Sequence, residues 1–337
     1  MELINKIQQF ASDPILSKHE QLVHGIIWAI EEGLLGVGDQ LPSINVMVKE
    51  MGFARKTIVK AYEELKDRGL VESKKVKGYF ISSMNTEVTL KIALLMYASQ
   101  RFQEEFYKTF RNQLGKPYQI DVFFHHNNLS LFQTIMSNIQ GKYGKYVVAP
   151  IDDPKIIPIL KAVPPEKLLM IDRYLTMPET YSYIAQEFEQ SNYEKLVALL
   201  PDIRKFNKVI LFFNPKSEVS SGVVRAFTKF SKTYDINGVI EEKYTEGSLQ
   251  RGTLYFCPSD TNLWEIIKDC RDFELQVGND IGILSHDDHV VKELVGGGIT
   301  TISTSFTEMA HLAANHVKDG KEVKKILPMH LIRRKSL

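Results

Sequence analysis

Polar and charged side chains recur where apolar segments end in the second half of the chain. Asp172-Arg173 closes the segment KLLMID, Ser259-Asp260 follows GTLYFCP, and His286-Asp287-Asp288 follows DIGILS. Carboxylates and guanidinium groups can each bridge two neighbouring hydroxyls, and an aromatic ring can cover the apolar face of a sugar ring. These residue types therefore predict recognition of a small hydroxyl-rich molecule.

The same stretches offer little for catalysis or metal binding. His286 to His289 contains enough ligand atoms for a divalent metal, but alternate side chains of an extended segment point to opposite faces and cannot converge. Gly296-Gly297-Gly298 lacks the Lys-Ser/Thr of a phosphate loop, so a flexible connection is expected there, and His125-His126 is typical of a strand end. With no nucleophile elbow or zinc helix either, the sequence predicts no catalytic residue, metal or cofactor.

Alternating strands and helices must position these polar residues. From Leu90 onward, continuous apolar segments alternate with amphipathic ones, which predicts parallel sheets covered on both faces. The expected strands are 91–99, 118–126, 145–151, 167–172, 208–213, 238–244, 252–258 and 280–285. The expected helices are 101–115, 129–140, one around 154–163, 183–200, 219–233 and 262–273. The result would be two doubly wound halves, with the ligand in the cleft between them, beyond the carboxyl ends of the strands.

The first 80 residues contain a different pattern. Leu41-Pro42-Ser43 begins a short apolar helix that stops at Gly52, a second helix covers 54–68, and a basic hairpin tip at 74–77 follows. Two short helices, a tight turn and a β-wing predict a winged helix-turn-helix, whose second helix enters the major groove of DNA. Residues 1–84 carry as many acidic as basic side chains, but the basic ones concentrate on the second helix and the wing.

This N-terminal region resembles the GntR family of bacterial transcription regulators over roughly residues 15–83. The resemblance rests on Gly33-Leu34-Leu35, Gly38, Leu41-Pro42-Ser43, Gly52-Phe53, Arg55, Thr57, Ala61 to Leu65, Gly69-Leu70-Val71 and Gly78-Tyr79-Phe80. Two positions depart from the family: Asn45 stands where Arg is usual, and Ala54 replaces a capping Ser or Thr at a cost of about 1 kcal/mol. The resemblance and the charge pattern together imply DNA contacts by Ser43, Asn45, Arg55, Lys56, Thr57, Lys60, Lys75 and Lys77.

The remainder, roughly residues 90–337, resembles the effector domain of the LacI/GalR family, which is similar to periplasmic sugar-binding proteins. The resemblance rests on the segments 167–173, 219–225, 259–260, 280–288, 294–302, 308–314 and 327–336. It implies that Asp172 and Asp287 accept from ligand hydroxyls and that Arg225 is a bidentate donor. With the strand ends it gives a candidate ligand set of Ser99, Arg101, Phe102, Asp172, Arg173, Arg225, Ser259, Asp260 and Asp287.

Structural alternatives exist for several of these residues. Asp172 and Asp287 could cap loops, Arg225 could pair with an acid on its own helix, and Phe102 could belong to the core. Ser259 stands where many family members have Asn, so the family's preferred sugar need not be inherited. Asp288 is expected to point away from the cleft, to the face opposite Asp287.

The expected fold is therefore α/β with an α+β head: a winged helix-turn-helix at 1–83, a linker at 84–90 and a two-lobed domain at 91–337. The plan resembles that of arabinose repressors, and it implies a cytoplasmic, homodimeric, sugar-responsive regulator that binds double-stranded operator DNA and no membrane. The alternatives are a purine or phosphosugar effector and an α/β enzyme acting on a nucleoside or sugar phosphate. Arg101, Arg173 and Arg225 could serve an anionic ligand. The two cysteines are expected as free buried thiols.

Overall fold

The computed structural model describes residues 4–5, 7–8, 17–98, 101–215 and 219–337. Its N-terminal part, residues 17–83, is called the head below. The head contains three helices, α1 (Lys18–Glu31), α2 (Ile44–Met51) and α3 (Arg55–Asp67). They are followed by the antiparallel pair β1 (Val71–Lys74) and β2 (Gly78–Ile81), which forms the wing.

Local sequence explains where the helices of the head begin and end. Ser17 and Glu20 form a reciprocal capping box at the start of α1. Ser43 Oγ accepts from the amide of Val46 at 3.3 Å and caps α2, which ends at Gly52 in the left-handed conformation. Helix α3 begins at Ala54 without a side-chain cap, as its sequence predicts. The three helices bury one apolar cluster that includes Leu22, Ile26, Met47, Ile58, Tyr62 and Leu65.

Two six-stranded sheets form the rest of the chain. The N-lobe sheet has the order β13-β7-β6-β5-β3-β4 and is parallel throughout. Its strands are β3 (Leu90–Met96), β4 (Tyr118–Phe124), β5 (Lys145–Val148), β6 (Leu168–Asp172), β7 (Ser182–Gln186) and β13 (Lys324–Leu327). Its helices are α4 (Arg101–Leu114), α5 (Leu129–Ile139), α6 (Ile157–Lys161) and α12 (Phe306–Asp319).

The C-lobe sheet has the order β14-β12-β11-β10-β8-β9, with only β14 antiparallel. Its strands are β8 (Lys208–Phe212), β9 (Gly238–Glu241), β10 (Thr253–Cys257), β11 (Gly282–His286), β12 (Thr300–Ser303) and β14 (His330–Ile332). Its helices are α7 (Gln190–Ala198), α8 (Leu200–Ile203), α9 (Ser221–Tyr234), α10 (Asp260–Asp272) and α11 (Val290–Leu294).

Each sheet separates two apolar clusters, so both of its faces are buried. The chain passes between the lobes three times, after β7, after β12 and after β13. The predicted fold class, a winged helix-turn-helix head followed by two doubly wound lobes, is confirmed.

One predicted element is wrong. The sequence from 183 to 200 was expected to be a single helix, but the structure has the strand β7, a turn and then α7 and α8. Strand β7 lies between β6 and β13, and a five-residue segment that is largely buried on both faces has no period that separates it from a helix. Strands β12, β13 and β14 were not among the predicted strands.

Cys257 lies on β10 and Cys270 on α10, and both are free and buried, as expected. Burial raises the pKa of the Cys270 thiol to about 12. Across the described ranges, no helix is both long enough and apolar enough to cross a bilayer.

Candidate ligand cleft and nucleic-acid interface

A cavity lies between the lobes, at the carboxyl ends of their strands. It encloses about 720 Å³ of space between the lobes, a figure that includes the open solvent at its mouth. Both lobes contribute strand ends and loop residues. The lining consists of Tyr97, Phe102, Gln103, His125, Asn127, Ala149, Pro150, Asp172, Arg173, Gln186, Phe188, Val219, Ser220, Pro258, Ser259, Asp260, His286 and Asp287.

Two carboxylates face the cavity from opposite lobes on strained backbone. Asp172 at the end of β6 has φ 70° and Asp287 after β11 has φ 54°, in the left-handed region that few residues other than glycine occupy. His126 and Asn127, after β4, share this conformation. Strain of this kind persists where surrounding contacts enforce it, and it clusters at functional sites.

The end of β7 supplies a buried amide beside Asp172. Gln186 donates through Nε2 to Asp172 Oδ1. Its Oε1 is buried and has no hydrogen-bond partner among the described residues, although the side chain lines the cavity. Burial raises the pKa of Asp172, while Arg173 and Gln186 oppose that shift. An unsatisfied buried acceptor is costly, so this amide oxygen marks a position for a ligand donor.

Aromatic rings line the cavity on the N-lobe side and at the crossing between the lobes. Arg173 Cζ lies 5.9 Å from the ring centroid of Phe188, within reach of a cation–π contact. Phe102 lines the cavity and also packs against Phe306 with ring centroids 4.7 Å apart. Phe102 therefore contacts both the cavity, as an aromatic wall would, and the apolar core, through Phe306.

Two buried histidines at the cavity are neutral near pH 7. Burial lowers the pKa of His125 to about 4, and its Nε2 lies 3.0 Å from the carbonyl oxygen of Ala149. Burial lowers the pKa of His286 to about 3, and its Nε2 lies 2.6 Å from Asn192 Oδ1. Neither ring adds positive charge to the cleft.

Asp260 lines the cavity, but its carboxylate already pairs with Lys292 and His289. Its Oδ1 lies 2.6 Å from Lys292 Nζ and its Oδ2 lies 3.0 Å from His289 Nε2. Burial acts to raise the pKa of Asp260, but these two partners outweigh burial and hold it below its usual value. Lys292 is completely buried and also donates to the carbonyl oxygens of His286 and Asp287. One lysine thus holds the C-lobe strand end and the start of α10.

The structure brings together most of the predicted ligand residues but leaves two away from the cavity. Phe102, Asp172, Arg173, Ser259, Asp260 and Asp287 line it. Arg225 lies on the exposed face of α9 and pairs with Glu189 at 2.6 Å, because its position on the helix directs it toward that acid. Arg101 is exposed at the start of α4 and does not line the cavity. Ser99 lies outside the described residues.

Asp288 points away from the cavity, as the strand alternation predicts. It accepts from Thr301 Oγ1 at 2.8 Å and from both terminal nitrogens of Arg334, at 2.6 and 2.9 Å. These bonds hold its pKa below the usual value although burial acts to raise it. Replacement of Asp288 by Ala would break this two-bond contact with Arg334.

Sequence reasoning missed Tyr97, Gln103, Gln186 and Phe188 as cavity residues. Gln186 and Phe188 fell inside the segment predicted as one helix, so the strand end that presents them was not recognised. A short apolar run preceding polar residues was the available signal. Within the described ranges, no group of three or more His, Cys, Asp or Glu side chains could hold a metal ion.

The predicted DNA-contacting residues gather on α2, α3 and the wing. Asn45 Oδ1 accepts from Arg55 Nη1 at 2.5 Å, which fixes the guanidinium at the exposed start of α3. Lys56 and Lys60 are also exposed on α3, Thr57 is half-buried, and Ser43 is exposed but occupied as a cap. Lys75 and Lys77 are exposed on either side of Val76 at the wing tip.

A winged helix-turn-helix head attached to a two-lobed domain with a polar cleft defines a DNA-binding transcription regulator. Residues 18–81 match the family model described as bacterial regulatory proteins, gntR family. The head is thus a GntR-type DNA-binding domain, and the chain is a transcription regulator.

The solved structures that are similar share the fold of the two-lobed domain. Two structures of one LacI family transcriptional regulator from Lactobacillus casei, with bound sucrose and with bound glucose, each superpose with a TM-score of 0.63 at 15% identity. They cover 73% of this chain and 99% of theirs. A dimeric Lac repressor with a C-terminal deletion gives a TM-score of 0.60 at 15% identity, covering 73% of this chain and 98% of its own. No curated protein sequence matches the chain.

Proposed function

We propose that this regulator senses a neutral sugar in the cleft between its lobes.

 The observation that supports this proposal is the convergence of Asp172, Asp287 and the unsatisfied Gln186 oxygen on one cavity with aromatic walls. Three acceptors facing one another suit a ligand that donates several hydroxyl hydrogens. The effector we propose is a monosaccharide, and the regulated operon is one for carbohydrate use.

The charges around the cavity favour a neutral ligand over a phosphosugar. Of the three arginines that could have served an anion, only Arg173 lines the cavity. His125 and His286 are uncharged near pH 7, and Lys292 is committed to Asp260. A phosphate placed here would meet Asp172 and Asp287 with one cation to offset them, which is unfavourable in a partly desolvated site.

The similar regulators support the same ligand class. The Lactobacillus casei regulator holds sucrose in one structure and glucose in another, in a domain of this fold, and the Lac repressor that superposes on this chain is dimeric. We extend both properties to this chain as part of the proposal. A homodimer would present two heads to a pseudo-palindromic operator in the cytoplasm, with the chain divided into a head at 1–83, a linker at 84–90 and an effector domain at 91–337.

The mechanism we propose is linkage between the cleft and the operator. A sugar that contacts both lobes favours their closed arrangement, and closure alters the positions of the two heads. Operator and sugar then change each other's affinity by the same factor, typically about 5- to 150-fold. The direction of this change, and so the choice between induction and co-repression, follows from which lobe arrangement the operator-bound dimer prefers.

A thermal-shift screen tests the ligand class. Neutral monosaccharides, their phosphates and purines are each added to the full chain, and a ligand at 100 times its dissociation constant adds about 2.7 kcal/mol to stability. Stabilisation by a neutral sugar but not by its phosphate is expected. Stabilisation by phosphates or purines alone would contradict the proposal.

Asp287→Ala then tests the site with the sugar that the screen selects. The carboxylate can accept two hydroxyl hydrogens, and a hydrogen bond to a charged group contributes about 1.5–3 kcal/mol, so affinity should fall at least about tenfold. Calorimetry measures the loss, and Glu265→Ala, which removes an exposed acid of α10 outside the cavity, is the matched control. Equal affinities for the two variants would place the ligand elsewhere.

A further inference from the structure

The DNA-reading helix of the head is seated directly on the N-lobe. Asp67, the last residue of α3, lies 2.5 Å from Lys167 Nζ through its Oδ1, and both side chains are about a quarter exposed. Burial raises the pKa of Asp67, while Lys167 opposes that shift. The contact joins residues 100 positions apart, so it is a tertiary contact between the two domains.

Close packing accompanies this ion pair. Gly144 is buried against the head, and a Cβ added there would lie 2.9 Å from both the Cβ and the carbonyl oxygen of Asp67, and closer still to Leu90 Cδ1 of the N-lobe itself. Gly69, which follows α3 with φ 78°, lies in the same way against the side chain of Lys91. Only residues without a side chain permit the two surfaces to approach this closely.

The linker is fixed to both sides of the contact. Thr86 Oγ1 donates to Glu31 of α1 at 2.8 Å, and the amide of Thr89 donates to the carbonyl oxygen of Pro117 in the N-lobe at 2.8 Å. Val88 between them is buried. The head is therefore held by its recognition helix and by its linker, an arrangement unlike that of a freely tethered domain.

The contact lies at one end of three strands whose other ends line the cavity. Lys91 is on β3, Gly144 directly precedes β5, and Lys167 directly precedes β6. The carboxyl ends of the same strands present Tyr97, Ala149-Pro150 and Asp172-Arg173 to the cleft. A four- or five-residue strand spans about 15 Å, so the contact and the cavity are one strand length apart.

We propose that this contact, called the dock (Asp67 and Gly69 against Lys91, Gly144 and Lys167), carries the signal between cleft and DNA within a single chain. The inference rests on the proposed function, because it assumes DNA at the head and a small ligand in the cleft. Arg55, at the opposite end of α3, is exposed and lies about 18 Å from Asp67 along the helix axis. The head can therefore bind DNA while the dock contact stays formed.

Charge reversal tests the dock in the full chain without any effector. Asp67→Lys and Lys167→Asp each place like charges together, and the double variant restores the pair with its sign exchanged. Hydrogen exchange of residues 66–70 and 141–145 should accelerate about fivefold or more in each single variant and return to the wild-type rate in the double variant. Glu246→Lys, which reverses one member of the surface pair Glu246–Lys268 at the same 2.5 Å separation, is the matched control.

A duplex selected in vitro by the wild-type protein then tests the coupling. By reciprocity, this DNA should change hydrogen exchange at Ala149, Asp172 and Arg173 in the wild type and the double variant, but not in the single variants. The same cleft response in the single variants, or none in the wild type, would overturn the inference.

These outcomes separate the dock from the proposed function. The measurement uses no sugar, so a failed sugar screen leaves its result intact. A chain that selects no duplex contradicts DNA binding and the coupling together, while the exchange rates at residues 66–70 still establish or refute the docked arrangement.

Discussion

Lys292 is the strongest single test of how the C-lobe builds its half of the cleft. Its side chain has no solvent exposure, and its Nζ lies 2.6 Å from Asp260 Oδ1 and 3.0 Å from the carbonyl oxygen of Asp287. It also donates to the carbonyl oxygen of His286. Lys292→Met preserves most of the side-chain volume and removes the charge and all three donated bonds.

The expected loss of unfolding free energy in Lys292→Met depends on the groups that lose Lys292 as their partner. Removing one member of a buried ion pair costs about 3–5 kcal/mol, because the remaining charge and acceptors stay desolvated. The Asp260 side chain is 39% exposed and keeps His289, so the lower end of that range applies. We expect a loss of about 3 kcal/mol from the unfolding free energy of the two-lobed domain.

Urea unfolding followed by tryptophan fluorescence measures this loss. Trp264 lies on α10 with its ring centroid 6.1 Å from that of His289, so it reports on this region, and Trp28→Phe removes the signal of the head. With a denaturant slope near 3 kcal/mol per molar, the midpoint should fall by about 1 M.

Lys205→Met is the matched control, since Lys205 pairs with Asp202 in the same lobe at 2.7 Å but is 57% exposed. An exposed pair of this kind contributes about 0.2–1 kcal/mol. Adding Asp260→Asn to Lys292→Met should recover part of the loss, because the unpaired charge disappears with it. A midpoint for Lys292→Met equal to that of the control would refute the assignment of Lys292 as the support of this strand end.

Two further predictions concern DNA contacts and pH. Arg55→Ala should cut affinity for a selected duplex by about 1–3 kcal/mol and relax its sequence preference, while Lys75→Ala should weaken all duplexes alike and lower the salt slope by about one; an unchanged affinity for Arg55→Ala in a salt-controlled mobility shift would contradict the groove assignment. The lowered pKa of His286, about 3 against an ordinary value near 6.5, means that the unfolded chain binds the extra proton first as pH falls. Stability should therefore be full above pH 6.5 and fall by about 2 kcal/mol for this group by pH 5. Urea midpoints at pH 7 and pH 5 should differ less for His286→Gln, and an identical pH dependence would show that this ring does not titrate as its burial requires.

The sequence was sufficient for the elements with a clear period and clear ends. Helices α2 and α3 have apolar residues at helical spacing and a stop at Gly52, and most strands of the lobes are continuous apolar runs. Strand β7 was not predicted, because a short segment that is buried on both faces shows no alternation of polar and apolar residues. The loss of β7 also hid Gln186 and Phe188, so one wrong element removed two cavity residues.

The sequence also could not predict which side chains pair with one another in the folded chain. Arg225 is of a residue type that suits a ligand donor, but it pairs with Glu189 instead. Glu189 lies 36 positions earlier in the sequence and comes close to Arg225 only in the folded chain. Lys292 lies in the sequence HVVKEL, which is typical of an exposed helix, and its burial depends on carbonyl oxygens presented by a strand end. Such pairings are properties of the tertiary structure and leave no local pattern.

The two strained aspartates give the proposed closure a physical basis. Asp172 belongs to the N-lobe and Asp287 to the C-lobe; the Asp172 carboxylate accepts from Gln186, and the carbonyl oxygen of Asp287 accepts from Lys292. A sugar that donates hydroxyls to both carboxylates forms all its bonds only when the lobes are close. Such a ligand binds the closed arrangement more tightly and shifts the population toward it, whereas a ligand that contacts one lobe alone binds both arrangements equally and shifts nothing. Ligands of similar affinity should therefore differ in their effect on operator binding according to whether they bridge the two aspartates.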